Sequence, residues 1–262
     1  MKKFLCFFGI FALIAGFVTS CGDDDDDDGN GTSGGKNVPQ KKLRKLNDGN
    51  DSWEYVYDKE GRCSSYTEYD HNEPVEKINY KYEDNKIIEE SVKSTITIIL
   101  DSNGNIESET TENGGSSDKT VYAYDNQGHL ISETCTDDDG YCRITTYTWE
   151  NGNISKVETH ENNSGYEYKQ TMYVEYTNSN YATPLENKAG FNWSQIDDGF
   201  ILPYYFGTGG VALKNLPVAI KYEEEERNDV QTLTWTFDGD GYPVKVVSKN
   251  VFDVDTLEFV WE

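Results

Sequence analysis

Basic residues are scarce in this 262-residue chain. Lys and Arg total 23 against 48 Asp and Glu, for a formal net charge of −25. That balance excludes nucleic acid as a partner, because no basic stripe exists to displace counterions from phosphates. It also disfavours direct adhesion to anionic headgroups. Histidine is rare too, with three copies (His71, His129, His160). His71 lies in a polar stretch, and His129, just past a turn glycine, is expected to face solvent. The chain lacks a His-Glu-x-x-His pair, a phosphate loop and a Cys-x-x-Cys pair, and Gly31-Thr32-Ser33-Gly34-Gly35, which spells Gly-x-Ser-x-Gly, lies in the Gly/Ser-rich linker and so makes no strand-to-helix elbow. Each absence removes a class of chemistry: acyl transfer at an activated serine, zinc-assisted hydrolysis, nucleotide hydrolysis, thiol redox. No catalytic residue, cofactor or metal site is therefore assigned. Acidic pairs are so numerous that their proximity in sequence discriminates nothing, and a carboxylate pair of the glycosidase kind would be visible only in space. Asp137–Asp139 and Asp238/Asp240 lack full EF-hand spacing and read as solvated turns.

Aromatics, by contrast, reach 13%, with 19 Tyr, in a chain only 35% hydrophobic. Large flat side chains of high β-propensity suit sheets better than helical bundles. The N-terminus has its own composition. Lys2 and Lys3 precede an apolar run from Phe4 to Val18, the anatomy of an export signal. Val18-Thr19-Ser20-Cys21-Gly22 follows and resembles the lipobox of bacterial lipoproteins, with Val18 where Leu is preferred. The resemblance implies acylation of Cys21 and cleavage before it, with two or three chains giving stable anchoring. The expected division is a signal peptide over 1–20, an acidic, Gly/Ser-rich disordered linker over 21–38 and a single β-repeat domain over 39–262. Two lysines leave with the signal, so the mature charge moves from −25 to −27. Asp23–Asp28 cannot fold against its own repulsion. An acidic run at this place resembles the signal that sends some Gram-negative lipoproteins to the outer face of the outer membrane. Outer-membrane lipid anchoring with surface display is the expectation.

A repeat carries the fold expectation. Tyr55-x-Tyr57-Asp58-x-x-Gly61-x-Cys63 recurs as Ile98-x-Leu100-Asp101-x-x-Gly104-x-Ile106, as Tyr122-x-Tyr124-Asp125-x-x-Gly128-x-Leu130 and as Trp235-x-Phe237-Asp238-x-x-Gly241-x-Pro243. Shorter turns follow Tyr82 and Trp149. Alternating aromatics give the period of two of a strand. Asp accepts a hydrogen bond from the backbone two residues on, and the glycine supplies the positive φ of a type I turn with a G1 bulge. Asn151-Gly152 suits a two-residue I′ turn. The apolar residue two past each glycine should sit opposite the aromatic before the Asp, as a cross-strand pair. About twelve to fourteen strands result, and so long a meander curls into a roll or barrel to remove its edges. The aromatic column should line one face. Strands alternating with Glu54, Lys81, Glu107 and Lys156 would be rejected by a bilayer, so the roll is expected to be soluble.

The hairpin at 55–62 is similar to the YD repeat, and the arrangement over about 40–262 resembles a family of surface lipoproteins of unknown function described as porin-like in fold. That likeness implies a continuous antiparallel β-roll and no activity. The repeat breaks at 181–218, where Pro184, Pro203, Pro217 and several glycines argue for an irregular insertion, with short helices expected at 183–184 and 211–215. Its aromatics, Trp193, Tyr204, Tyr205 and Phe206 among them, are expected either to plug one end of the roll or to form a rim for a flat ligand such as a glycan. Cys135 and Cys142 flank a hairpin tip and could form a disulfide, while Cys63 takes the apolar slot of its repeat. The function expected is a non-catalytic binding or interaction module for a glycan, a peptide or a partner envelope protein. The alternatives are a carboxylate-dependent hydrolase and a purely structural envelope protein.

Overall fold

The computed structural model describes residues 41–163, 165–193, 208–224 and 228–262. The export signal, Cys21, the acidic run, Tyr204, Tyr205 and Phe206 lie outside them. Eighteen strands follow one another: β1 (Leu43–Asp48), β2 (Asp51–Tyr57), β3 (Cys63–Asp70), β4 (Glu73–Glu83), β5 (Lys86–Glu90), β6 (Thr95–Leu100), β7 (Ile106–Asn113), β8 (Ser116–Tyr124) and β9 (Leu130–Asp137). Then come β10 (Cys142–Glu150), β11 (Asn153–Asn163), β12 (Tyr166–Glu175), β13 (Leu185–Glu186), β14 (Asn215–Leu216), β15 (Ala219–Glu224), β16 (Asn228–Phe237), β17 (Pro243–Lys249) and β18 (Val254–Trp261). Sixteen of them form a closed antiparallel barrel in which β1 pairs β18, and β13–β14 form a separate ribbon. Sixteen exceeds the twelve to fourteen expected because β1, β15 and β18 flank none of the turns that the repeat marks.

The turn chemistry is as read from the repeat. Gly61, Gly104, Gly128 and Gly241 all have φ between 76° and 85°, and Asn151 (55°) and Gly152 (80°) make the I′ turn. Asp101, Asp125 and Asp238 accept hydrogen bonds from the N–H two residues on, at 2.8–2.9 Å. The cross-strand pairs fall where expected: Tyr57 faces Cys63, Leu100 Ile106, Tyr124 Leu130, Trp149 Ile154 and Phe237 Pro243. At each of these places the register skips one residue (Ser64, Glu107, Ile131, Ser155, Val244), which is a β-bulge. The bulge shifts the parity of the strand behind it. The apolar residue after the turn and the residue three further on both face inward: Cys63 and Tyr66, Ile106 and Glu109, Leu130 and Glu133, Ile154 and Val157.

The barrel is filled. Its core runs through Leu43, Leu46, Tyr55, Tyr66, Ile87, Ile98, Ile106, Ile154, Leu233, Trp235 and Phe259. One end is closed by the insertion, whose Ala189, Phe191, Trp193, Leu213 and Leu216 join that core. Phe191 is fully buried among Trp235, Phe259 and Trp261, with ring centroids 5.7–6.4 Å away. Lys41, the first described residue, and the backbone pairing of Lys42 with Glu262 (2.8 and 2.9 Å) lie at this plugged end. The distal end carries the other set of turns, among them 49–50, 71–72, 91–94, 113–116, 137–141 and 250–253.

The short helices expected at 183–184 and 211–215 do not form. Leu185–Glu186 and Asn215–Leu216 are instead extended and paired. The barrel's own turns take the backbone groups a helix would have used. Val211 N–H donates to Gly128 C=O and Lys214 N–H to Gly152 C=O, both at 2.9 Å, while the Asn187 amide donates to Phe191 C=O and Leu213 C=O at 2.7 Å. Only glycine fits at 210, since a Cβ there would come within 2.7 Å of Gly128 O and the Tyr124 ring.

Candidate functional site

Three layers of the barrel carry polar chemistry. The first lies at the plugged end. Five aromatics donate to the carbonyl that opens the second strand of the preceding hairpin, or that opens β1: Tyr57 to Leu43, Tyr82 to Cys63, Trp149 to Leu130, Tyr176 to Ile154 and Trp261 to Pro243, at 2.6–2.9 Å. The residue after the turn glycine then covers the aromatic of a later hairpin. The Arg62 guanidinium lies 4.4 Å from the Tyr82 ring centroid, and His129 stacks on Trp149 at 4.4 Å. His129 is thus half-buried and bonded to Asp125 rather than turned to solvent, because a flat ring gains more against Trp149 than in water. These turns are clamped. Against the upward push of burial, hydrogen bonds from the Arg62 N–H and guanidinium hold Asp58 below the usual carboxylate range. His129 does the same for Asp125 against burial, and the Lys41 ammonium lowers Asp238. Asp238 and Asp240 share Lys41 at 2.8 and 2.6 Å.

The second layer is a belt of inward-facing tyrosines and carboxylates at mid-barrel. Tyr122 Oη donates to Glu109 Oε2 at 2.9 Å and Tyr147 Oη to Glu133 Oε1 at 2.6 Å. Burial pushes Glu109 up to about 8, with the neighbouring Glu89 and Glu133 carboxylates adding to the rise and Tyr122 opposing it. Glu133 is raised by burial as well. Two acids of raised pKa is the signature sought for a hydrolase, but these stand in packed interior rather than in a cleft. Glu109 is only 5% exposed, and the open grooves at the distal end include neither acid. A substrate cannot reach Glu109 without opening the core, and Glu133 is half-buried beside it. The signal for both was present in the sequence as apolar-x-x-Glu after the turn (Ile106 to Glu109, Leu130 to Glu133). Strict alternation would have assigned those glutamates to the outer face.

The third layer is the distal end, where two grooves open. One, of about 150 Å³, is lined by Asn47, Asn50, Asp51, His71 and their neighbours. The other, of about 510 Å³, lies between the β5–β6, β7–β8 and β9–β10 turns, lined by Ser91 to Thr95, Glu112 to Ser117 and Asp138. Carboxylates here crowd one another. Burial and the proximity of Asp137 and Asp138 raise Asp118, and burial together with Asp255 and Asp51 raises Asp48.

Of the residues singled out from sequence, Trp193 is buried in the plug, 4% exposed, so it belongs to the core and not to a ligand rim. The disulfide expected between Cys135 and Cys142 is not formed. Cys135 pairs with Arg143 and Cys142 with Thr136, so the one-residue offset turns the two thiols to opposite faces of the sheet, and no disulfide joins them. Cys63 is buried as expected, its thiol pushed up to about 12 by burial.

The outer wall is polar. Cross-strand pairs such as Lys45–Glu54, Lys81–Glu90 and Lys245–Glu258 stand on it. A lysine at the midplane of a bilayer would cost about 2–4 kcal/mol, so these pairs disfavour a lipid-facing wall.

Comparison with known proteins agrees with this architecture. A porin-like protein from Bacteroides uniformis is similar over 84% of this chain and 98% of its own, at 16% identity and a TM-score of 0.62. A porin-like protein from Bacteroides vulgatus is similar over the same shares, at 16% identity and a TM-score of 0.64. At that identity the likeness concerns the fold. A search of curated proteins finds no match. The sequence profile matching residues 55–245, more than half of the chain, is that of a domain of unknown function (DUF4595) with porin-like fold, and the chain belongs to that family.

Proposed function

We propose that the protein is an envelope-anchored, surface-exposed lipoprotein that acts as a non-catalytic binding module, with its distal end as the recognition face. One observation carries the reading. The barrel has a filled bore and a plug at the end where the described chain begins, while the opposite end presents open polar grooves. A tether running from an acylated Cys21 through the 21–38 linker would join the barrel at the plugged end. The distal end would then point away from the membrane. Six large hydrophobics are more than half exposed among the described residues (Val75, Val92, Tyr166, Val251, Phe252, Val254), and all six lie at that distal end. Exposed apolar side chains beside polar grooves are a common mark of interaction surfaces.

Two measurements test this. Cells fed a palmitate analogue should label the whole chain and not its Cys21→Ala variant, and protease added to intact cells should reach the protein. The whole chain, purified in detergent, should bind on an array of glycans and peptides. An unlabelled chain would remove the anchoring half of the reading, and a blank array would remove the binding half.

A further inference from the structure

Resting on that binding reading, we propose that the groove between the β5–β6, β7–β8 and β9–β10 turns takes a neutral, polyhydroxylated ligand, a short oligosaccharide. At about 510 Å³ it falls in the range of small-molecule sites, roughly 300–1,000 Å³. Its lining selects against other classes. The only ammonium there, Lys93, is occupied by Glu76 at 2.5 Å, while Glu112 and Asp138 line the groove beside Asp118 and Asp137. Phosphates, sulfates and uronates are repelled by that field. The apolar contribution of the lining is the Val92 side chain, too little to hold an apolar ligand by burial.

What remains is two-way hydrogen-bonding capacity. Thr95 and Ser117 supply hydroxyls, Asn113 an amide, and Ser116, whose hydroxyl donates to Asn113 C=O at 3.0 Å, a further acceptor. Gly114 and Gly115 both hold positive φ (56° and 106°), and nothing lies within 4 Å of where a Cβ would stand, so no side chain crowds the groove there. Asp138 is pre-set. Its Oδ2 accepts from Ser117 N–H at 3.0 Å, which fixes the carboxylate and leaves Oδ1 to accept from a ligand hydroxyl. A fixed carboxylate beside hydroxyls and an amide suits a ring of vicinal hydroxyls, each of which both donates and accepts.

The experiment titrates the whole chain with three probe classes: neutral trisaccharides (maltotriose, cellotriose, xylotriose), the anionic trisaccharide trigalacturonate and the cationic peptide trilysine. Calorimetry and saturation-transfer NMR supply the readouts. At least one neutral trisaccharide should bind. Its affinity should fall at least tenfold in Asp138→Ala and in Ser116→Trp, which fills the groove. It should hold in Thr146→Trp on the outer wall, with all three variants melting like the parent. Binding of trilysine or trigalacturonate alone would overturn the inference while leaving a binding module. So would neutral binding indifferent to the groove variants. A chain that binds none of the three classes, and nothing on the glycan and peptide array, overturns both the inference and the reading beneath it.

Discussion

The two ends of the barrel are built from the same kind of element, a hairpin turn rich in aspartate, and use it in opposite ways. At the plugged end three of the four repeat aspartates have a charged partner: Asp58 takes Arg62, Asp125 takes His129 and Asp238 takes Lys41. All three are held below the usual carboxylate range. At the distal end Glu76 takes Lys93, but three other carboxylates crowd acidic neighbours. Asp48, Asp118 and Asp255 are raised by burial and by neighbouring acids. Satisfied charge with lowered pKa favours the fold, whereas crowded charge with raised pKa opposes it, and such a cost is more often kept where a surface must meet something else. The comparison teaches that acidity here has two meanings, structural where the plug sits and available for contact where the grooves open.

If that division is right, stability should be concentrated at the plugged end. Phe191→Ala, which empties the centre of the plug, should cost about 3–5 kcal/mol in denaturant unfolding. A loss below about 1 kcal/mol would mean that the plug is not part of the core. Next in size is the belt between the two ends. Glu109 is raised in the fold, so its contribution is complete below about pH 4.5 and is lost as pH climbs towards about 8. Thermal melts should therefore fall between pH 5 and 8. Glu109→Gln keeps an acceptor for Tyr122 and should flatten that slope, gaining on the order of 2–4 kcal/mol at pH 8. An unchanged slope would show that the carboxylate is already ionised in the fold.

Smaller effects compare the ends directly. Asp125→Ala removes the acceptor for Gln127 N–H, His129 N–H and the His129 ring and should cost about 1–2 kcal/mol. Because Asp125 is lowered in the fold, that cost should be present near neutral pH and vanish as pH falls below about 3.8. Asp118→Asn at the distal end should change stability by less than about 0.5 kcal/mol, or raise it slightly by relieving Asp137 and Asp138. Equal losses for the two would break the comparison. The smallest effect is expected on the outer wall, where Lys81→Ala should cost about 0–1 kcal/mol through its exposed pair with Glu90.

Much of the plugged end was legible in the sequence, because its turns are fixed by local chemistry. Asp, Gly and the preceding aromatic suffice to place the bulge, the cross-strand pair and the inward column. The belt was hidden by that same bulge, since skipping Glu107 and Ile131 sends Glu109 and Glu133 inward where strict alternation points them out. The plug was legible as apolar matter but not as extended chain, for its backbone partners are Gly128 and Gly152, far away in sequence. Cys135 and Cys142 flank a tip as expected, yet a pairing offset of one residue, which composition does not report, decides that they do not meet. The distal grooves left no motif at all. They come from turns separated by whole hairpins and exist only once the barrel closes.

Hydrogen exchange on the whole chain, followed peptide by peptide, tests the account at its root. Backbone groups of the plug at 187–191 and 208–215 bond to the barrel's turns and to each other. Their amides should exchange as slowly as those of β8 and β16, while amides at 91–94, 113–116 and 250–253 exchange early. A plug that exchanges as fast as those distal turns would contradict the claim that one end of this barrel is core and the other is free to bind.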